Sequence, residues 1–513
     1  MTTGLTSSDT KNVHSAPQKN HQKNKSFSNS NQSNSQIDNP VDDQTNQSKW
    51  KTYYRSLIVA CTITICLAGW LSWEKNEAIW TILWTTPFGK PMIFICTILM
   101  AITVSELIWR TDLVYHYRPI PGLDDDKLPT VSVIVPAFNE GAQVYKTLES
   151  IIASDFPKRK FQIVAVDDGS QDDTWHWIQK AKEDLNGRII TIKLPQNQGK
   201  RHALNAGFKK SAGDVIVTID SDSIIEPNTL RNLVSPMIID RKVGAVAGNV
   251  RVLNKNAGFI PQMLDVVFVY SFDFVRSSQS MVNTVMCTPG ALSAYKRSVV
   301  IRVLHEWLGQ TFLGRPANIG EDRALTNLIL REGYKVLFQK NAVVYTEVPV
   351  NYVNLCKMFL RWNRSNIREM FSMTRFIFKP FRKESMFGAR INLLLGWLTL
   401  VKAPIMIVLT WSLIAWEPLT FLPNLLLSVV IFSSLPAGFY GWKYSSFNSF
   451  WSYFYGFYSF IGLAWVMPYS LLTPHNSGWL TREIKPKTRF KMFSFKQDAP
   501  ALFQTHNSNE VQM

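Results

Sequence analysis

Val215-Ile216-Val217-Thr218-Ile219-Asp220-Ser221-Asp222 is a β-branched run that stops on a pair of carboxylates. An uncharged Val/Ile/Thr run of this length, closed by acidic residues, reads as a buried strand. The carboxylates then fall at its C-terminal end, where open α/β sheets bind their ligands. Two carboxylates two residues apart make a hard-oxygen site for Mg²⁺ or Mn²⁺, ions that add substrate phosphates to a few protein carboxylates. A cation held there would neutralise a departing diphosphate.

The same grammar runs upstream. Thr130–Val135, Gln162–Val166 and Ile189–Lys193 are Val/Ile-rich, are bounded by Pro, Gly and Asp, and precede polar, helix-like stretches. Strands alternating with helices predict an α/β domain with a mostly parallel sheet from about 128 to 348. The first strand runs into Pro136-Ala137-Phe138-Asn139-Glu140, which leaves a carboxylate, Glu140, at its end; a plain surface loop has the same composition. The second ends in Asp167-Asp168-Gly169-Ser170, with Asp172 and Asp173 beyond. Acidic residues against a glycine can reach ribose hydroxyls or a base N–H, and a helix N-cap explains them equally. In Asn197-Gln198-Gly199-Lys200-Arg201-His202, Gly199 permits close approach and the basic pair can face a diphosphate, while His202 reads as a capping or packing residue. The upstream glycine of a P-loop is absent. Gly320-Glu321-Asp322-Arg323 opens a helical stretch, where carboxylates suit the dipole or supply a general base.

Apolar residues make up 46% of the 513 and charged ones 18%, with 17 Trp and 31 Phe, a balance that points to bilayer contact. Ser56–Trp73 and Pro91–Trp109 each approach the roughly 20 residues a helix needs to span the hydrocarbon core. Lys49, Lys51 and Arg55 precede the first run, and Arg110 and Arg118 follow the second. The positive-inside bias puts these flanks in the cytoplasm and Glu74–Lys90 outside. Residues 351–390 are basic and amphipathic, suited to the membrane–water interface. Within them Arg361 can pair with phosphate and Trp362 can stack on a sugar, although interface anchoring accounts for both. Ile391–Trp416, Phe421–Trp442 and Phe447–Leu472 follow, then the basic stretch Thr481–Lys491. Three crossings would put that stretch outside, so Ile391–Trp416, interrupted by Lys402 and Pro404, is expected to re-enter or lie partly in the interface.

The resulting plan is a polar, disordered tail (1–48), two transmembrane helices (49–110) and a cytoplasmic domain (111–350). Interface helices (351–390), transmembrane or re-entrant helices (391–473) and a cytoplasmic tail (474–513) complete it. The charge of +17 suits nucleic acid, an anionic membrane surface or an anionic substrate. Its basic residues cluster beside apolar runs without a helix-turn-helix or zinc pattern, which excludes nucleic acid as a partner. Five scattered cysteines, at 61, 66, 96, 287 and 356, argue against a disulfide framework.

Taken in order, Asp167-Asp168-Gly169-Ser170, Asp220/Asp222, Glu321-Asp322 and Arg361-Trp362 resemble the processive family 2 glycosyltransferases. The chain looks most like hyaluronan synthases and rhizobial chitin-oligosaccharide synthases. Gly248–Lys255, Gln279-Ser280, Cys287–Leu292 and Trp479-Leu480-Thr481-Arg482 extend the match to roughly Thr130–Arg482. The resemblance implies a nucleotide-sugar-binding domain held between transmembrane helices of the cell membrane, with a UDP-sugar donor and a growing polysaccharide acceptor. By the same resemblance Asp167 and Asp168 would bind uridine, Asp220 and Asp222 a metal, and Asp322, beside Glu321, would be the base. Lys200 would contact the donor, Arg361 and Arg482 the diphosphate, Trp362 the acceptor sugar, and Cys287 would lie near that sugar. Pro136, Glu140 and Trp479 fall in the same binding motifs. Two departures bear on acceptor identity: Met358 stands where the family usually has Gln, and Pro289-Gly290-Ala291 where hyaluronan synthases tend toward Ser-Gly-Pro.

Overall fold

A computed structural model describes residues 77–476, without 88 and 186–188, together with Leu67. The polar tail 1–48, the remainder of Ser56–Trp73, Trp479, Arg482 and Thr481–Lys491 lie outside the described residues.

The strands are β1 (Val131–Ala137), β2 (Phe161–Asp167), β3 (Ile189–Lys193), β4 (Val215–Thr218), β5 (Ser223–Ile225), β6 (Val243–Val252) and β7 (Ser293–Lys296). β8 (Thr311–Phe312), β9 (Arg315–Pro316) and β10 (Lys335–Thr346) follow. One eight-stranded sheet has the order β3-β2-β1-β4-β7-β6-β10-β5, and β8-β9 form a separate ribbon. β3, β2, β1 and β4 are mutually parallel, as are β6 and β10; β7 and β5 run against their neighbours. The sheet is therefore mostly parallel, as the strand–helix alternation predicts. Every residue of β1 and β4 is buried, which explains their unbroken Val/Ile character: a central parallel strand meets core on both faces. Register does the rest. Ala137 pairs with Asp167 and Ile134 with Thr218, so the loops after β1, β2 and β4 open on one edge of the sheet.

Among the described residues, three helices are long and apolar enough to cross a membrane: Gly89–His116, Phe387–Ala415 and Phe421–Tyr444. Polar contacts fasten their domain-side ends. Arg110 donates to Ser278 Oγ (2.9 Å) and Asn392 Oδ1 (3.3 Å), and Tyr440 donates to Asp265 Oδ2 (2.8 Å). Lys443 and Arg251 both pair with the fully buried Asp273, the latter at 2.5 Å.

Two expectations need correction. Ile391–Trp416 is not the interrupted segment; it lies within one continuous helix, Phe387–Trp416, that absorbs Pro404. Lys402 there donates to Thr103 Oγ1 of the neighbouring helix at 3.3 Å, which satisfies a cation the sequence leaves exposed to lipid. The interruption falls in Phe447–Leu472, which breaks into a short 3₁₀ turn and the helices Trp451–Gly462 and Val466–Leu472. Twelve residues rise only about 18 Å, short of a bilayer core of about 30 Å.

The basic segment is also different in detail. Tyr352–Ile377 is one helix, capped where Asn351 accepts the Asn354 N–H (2.9 Å). Two of its arginines point into protein: Arg364 donates to Thr473 Oγ1 (3.0 Å) and Arg368 to the Ile319 carbonyl (2.7 Å). Arg375, Lys379 and Lys383 remain exposed.

Candidate active site

A cavity of about 580 Å³ lies beyond the C-terminal ends of β1, β2 and β4 and is lined on one side by the Tyr352–Ile377 helix. Pro136, Glu140, Asp168, Lys200, Asp220, Asp222 and Arg361, all expected from sequence, line it together. They arrive from five separate stretches of chain, gathered by the parallel register.

The Asp pair after β2 divides its work. Asp167 is fully buried; its Oδ1 accepts the Ser170 N–H (3.0 Å), while its Oδ2 has no hydrogen-bond partner. A buried carboxylate oxygen left so is costly, and Asp167, unlike Asp168, lies outside the cavity lining. Asp168 holds the next loop, accepting the N–H groups of Gln198 (3.0 Å) and Gly199 (2.9 Å). Burial pushes the Asp168 carboxyl above the usual range, and these two hydrogen bonds counter only part of that. Gly199, at φ +91°, turns the chain into the Lys200–Lys210 helix, a conformation open chiefly to glycine. The N-cap alternative is not realised: Asp173 precedes the Thr174–Asp184 helix without a side-chain cap hydrogen bond, and Asp172 instead accepts the Thr174 N–H (3.0 Å) and hydroxyl (2.6 Å).

Lys200 and Arg201 do not act as a pair. Lys200 contacts Asp220 and lies 3.4 Å from Glu321 Oε1. Arg201 turns away from the cavity, donating to the Trp307 carbonyl (2.5 Å) and Gln310 Oε1 (3.2 Å) and stacking on the Trp307 ring. Its role is packing. His202 is exposed.

Asp222 accepts the hydroxyls of Ser223 and Thr346, both at 3.2 Å, and Glu140 accepts that of Ser221 at 3.0 Å. Among the described residues no group of three or more His, Cys, Asp or Glu side chains forms a protein-only metal cage. Two carboxylates on one wall of an open cavity fit a Mg²⁺ or Mn²⁺ ion whose other ligands are phosphate oxygens and water.

The helix Glu321–Arg331 begins directly beside this wall. Gly320 precedes it at φ +78°, and a Cβ there would meet the Ser365 Cβ at 2.4 Å, so both conformation and packing demand glycine. Asp322 Oδ1 accepts the Arg323 N–H (2.7 Å), and Oδ2 faces the Cys287 thiol at 3.6 Å. Burial and then the Glu321 charge raise the Asp322 pKa, an effect Lys200 only partly offsets. Burial pushes the Cys287 thiol up to about 12, so it stays protonated and donates toward Asp322. Trp362 packs on Phe268 and Phe359 and is 42% exposed, which leaves ring surface for a ligand.

Asn197, Glu347, Asn354 and Met358 also line the cavity. Glu347 obeys the strand-end rule, since it follows β10, but Gln339-Lys340-Asn341 breaks the apolar run that would mark that strand in the sequence. Met358 presents a thioether where the family pattern has an amide.

The fold, the strand-end acids and the flanking apolar helices define a class, and the chain belongs to glycosyl transferase family 2. The family model described as "Glycosyl transferase family 2" matches residues 132–304. An N-acetylglucosaminyltransferase of Rhizobium meliloti (strain 1021) is 30% identical over 405 residues, which cover 75% of this chain and 92% of that protein. An N-acetylglucosaminyltransferase of Azorhizobium caulinodans is 36% identical over 254 residues, 49% of this chain and 64% of that protein. A hyaluronan synthase of Streptococcus pyogenes is 33% identical over 273 residues, 52% of this chain and 64% of that protein. For the latter two, the chain thus spans less than two thirds of the relative.

Proposed function

We propose that this chain is a membrane-bound, inverting glycosyltransferase. It takes a sugar, N-acetylglucosamine alone or with glucuronic acid, from UDP-sugar, adds it to a growing β-linked polysaccharide and exports the product. The observation that carries this reading is the cavity that Asp220, Asp222, Lys200 and Arg361 line together, with Lys200 reaching back to Glu321, the neighbour of Asp322, at 3.4 Å. The names of the relatives support the sugar class.

In this mechanism Asp167 accepts an N–H of the base through its unpartnered, buried Oδ2, which that contact would first have to uncover, and Arg361 and Lys200 hold the diphosphate. Asp220 and Asp222 would hold a Mg²⁺ or Mn²⁺ ion, which would supply Lewis-acid charge for the departing diphosphate. Asp322 takes the proton of the acceptor hydroxyl, whose oxygen attacks the anomeric carbon on the face opposite the nucleotide. The bond to the diphosphate breaks, UDP leaves with the electron pair, and an α-linked donor gives a β-linked product. Trp362 stacks on the acceptor ring.

Purified membranes offered radiolabelled UDP-sugars one at a time and in pairs decide the substrate. UDP-N-acetylglucosamine should give polymer that chitinase or hyaluronidase degrades. Label incorporated only from UDP-glucose, into cellulase-sensitive product, would replace this reading with a cellulose-type one.

The catalytic domain and the described helix ends it fastens lie on the cytoplasmic side in this proposal. Phe387–Trp416 and Pro418–Tyr444 cross out and back, and Phe447–Leu472 stays at the inner face, which returns Thr481–Lys491 to the cytoplasm as the charge bias requires. An impermeant thiol reagent applied outside should label reporter cysteines at Glu77 and Glu417 and miss one at Lys491. Labelling at Lys491 shows instead that all three C-terminal runs cross.

A further inference from the structure

Lys200 stands between the donor carboxylates and the base helix. Its ammonium pairs with Asp220 and reaches Glu321 Oε1 at 3.4 Å, in surroundings that leave the lysine side chain 14% exposed. Gly290 closes the far side. A Cβ at that position would lie 2.5 Å from Lys200 Nζ and 3.3 Å from Asp220 Oδ2, so bare backbone is pressed against the ion pair.

An internal monovalent cation thus already holds the carboxylate that a divalent cation needs. A divalent ion arriving alone must displace the ammonium or share Asp220 with it at like-charge contact, in a site only partly open to water. A diphosphate changes the balance. Its oxygens offer Lys200 a new partner, and Glu321 is already within reach, so the ammonium can leave Asp220 and remain paired.

We propose that Lys200 is a counter-ion that keeps divalent cation off Asp220 until a nucleoside diphosphate arrives, which makes cation and donor binding mutually dependent. This rests on the reading of Asp220 and Asp222 as the cation site. Linkage makes the dependence reciprocal: whatever factor UDP adds to cation affinity, the cation adds to UDP affinity. The ordering keeps the cation from settling in an empty site.

The test is Mn²⁺ binding to the full-length protein in detergent, read from the electron paramagnetic resonance of free Mn²⁺. It is run with and without UDP and corrected for Mn²⁺ bound by UDP in solution. Wild type should bind Mn²⁺ weakly alone and roughly 5–150-fold more tightly with UDP. Lys200→Met should bind Mn²⁺ alone about tenfold more tightly than wild type and gain less from UDP, a change within the usual range of such couplings. Lys200→Arg, which keeps the charge, should retain the weak binding. Circular dichroism confirms that each variant is folded. If Lys200→Met binds Mn²⁺ alone no better than wild type, the counter-ion role is overturned and the cation site stands. If wild type binds no Mn²⁺ even at saturating UDP, or Asp222→Asn binds it unchanged, the cation site itself fails, and the counter-ion role fails with it.

Discussion

Asp322→Asn should lower turnover roughly 10²–10⁴-fold, the usual contribution of a positioned base, while UDP still binds. The residue faces Cys287 and adjoins Glu321, and it lines no part of the cavity that holds Asp220 and Asp222. A purely structural role makes the opposite forecast. Were Asp322 only a helix-start residue, its loss would cost about 1 kcal/mol of stability and leave turnover intact.

The direction of its pKa sharpens the contrast. Because the folded-state value is raised, the folded protein holds a proton there that the unfolded chain has already released, and stability falls as pH climbs through that window. Above it, ionised Asp322 is a burden on the fold, so the neutral amide should leave the thermal midpoint level or higher. Activity follows the opposite trend, since the base works only when ionised. The acid limb of the pH–rate profile should therefore sit above the ordinary aspartate range and disappear in the variant. A lowered midpoint with normal turnover per folded molecule would falsify the catalytic assignment.

Asp222→Asn should abolish transfer with the protein still inserted and folded. The amide oxygen can still accept the hydroxyls of Ser223 and Thr346, so the local structure has no reason to collapse. What disappears is one of two carboxylates for a divalent ion. Lewis-acid stabilisation is worth several kcal/mol, and about 1.36 kcal/mol is tenfold in rate, so the loss should exceed roughly a hundredfold. EDTA should reproduce the effect in wild type, and excess Mg²⁺ or Mn²⁺ should reverse it. Full activity in metal-free buffer contradicts the role.

What the sequence reveals and conceals here follows from burial. β1 and β4 are legible because they meet core on both faces and so carry unbroken Val/Ile runs, and their acidic ends mark the cavity. β6 and β10 are also flanked by strands on both sides, yet they carry Asn249, Arg251 and Gln339 in buried positions. Asn249 and Arg251 each donate to Asp273, and Gln339 donates to the backbone carbonyls of Ile120 and Asn232. No local pattern reports partners that distant, so the strands look too polar and Glu347 is missed with them. The same reason hides the split between Lys200 and Arg201: neighbours in sequence, they diverge because Trp307 and Gln310 wait on one side and Asp220 on the other. Arg364 and Arg368 look like interface cations until Thr473 and Ile319 are seen to hold them. In the C-terminal helices, Lys402 and Pro404 draw attention to the wrong segment, because a hydrogen bond to Thr103 accommodates the one and a long helix the other.

The most direct check on the whole reading is UDP release by the purified protein in lipid vesicles, followed alongside sugar incorporation from labelled UDP-N-acetylglucosamine, with and without labelled UDP-glucuronic acid. One UDP should appear for each sugar incorporated, only with a divalent cation present, and neither Asp222→Asn nor Asp322→Asn should support it. No release of UDP from either donor, by protein that is folded and supplied with cation, would contradict it.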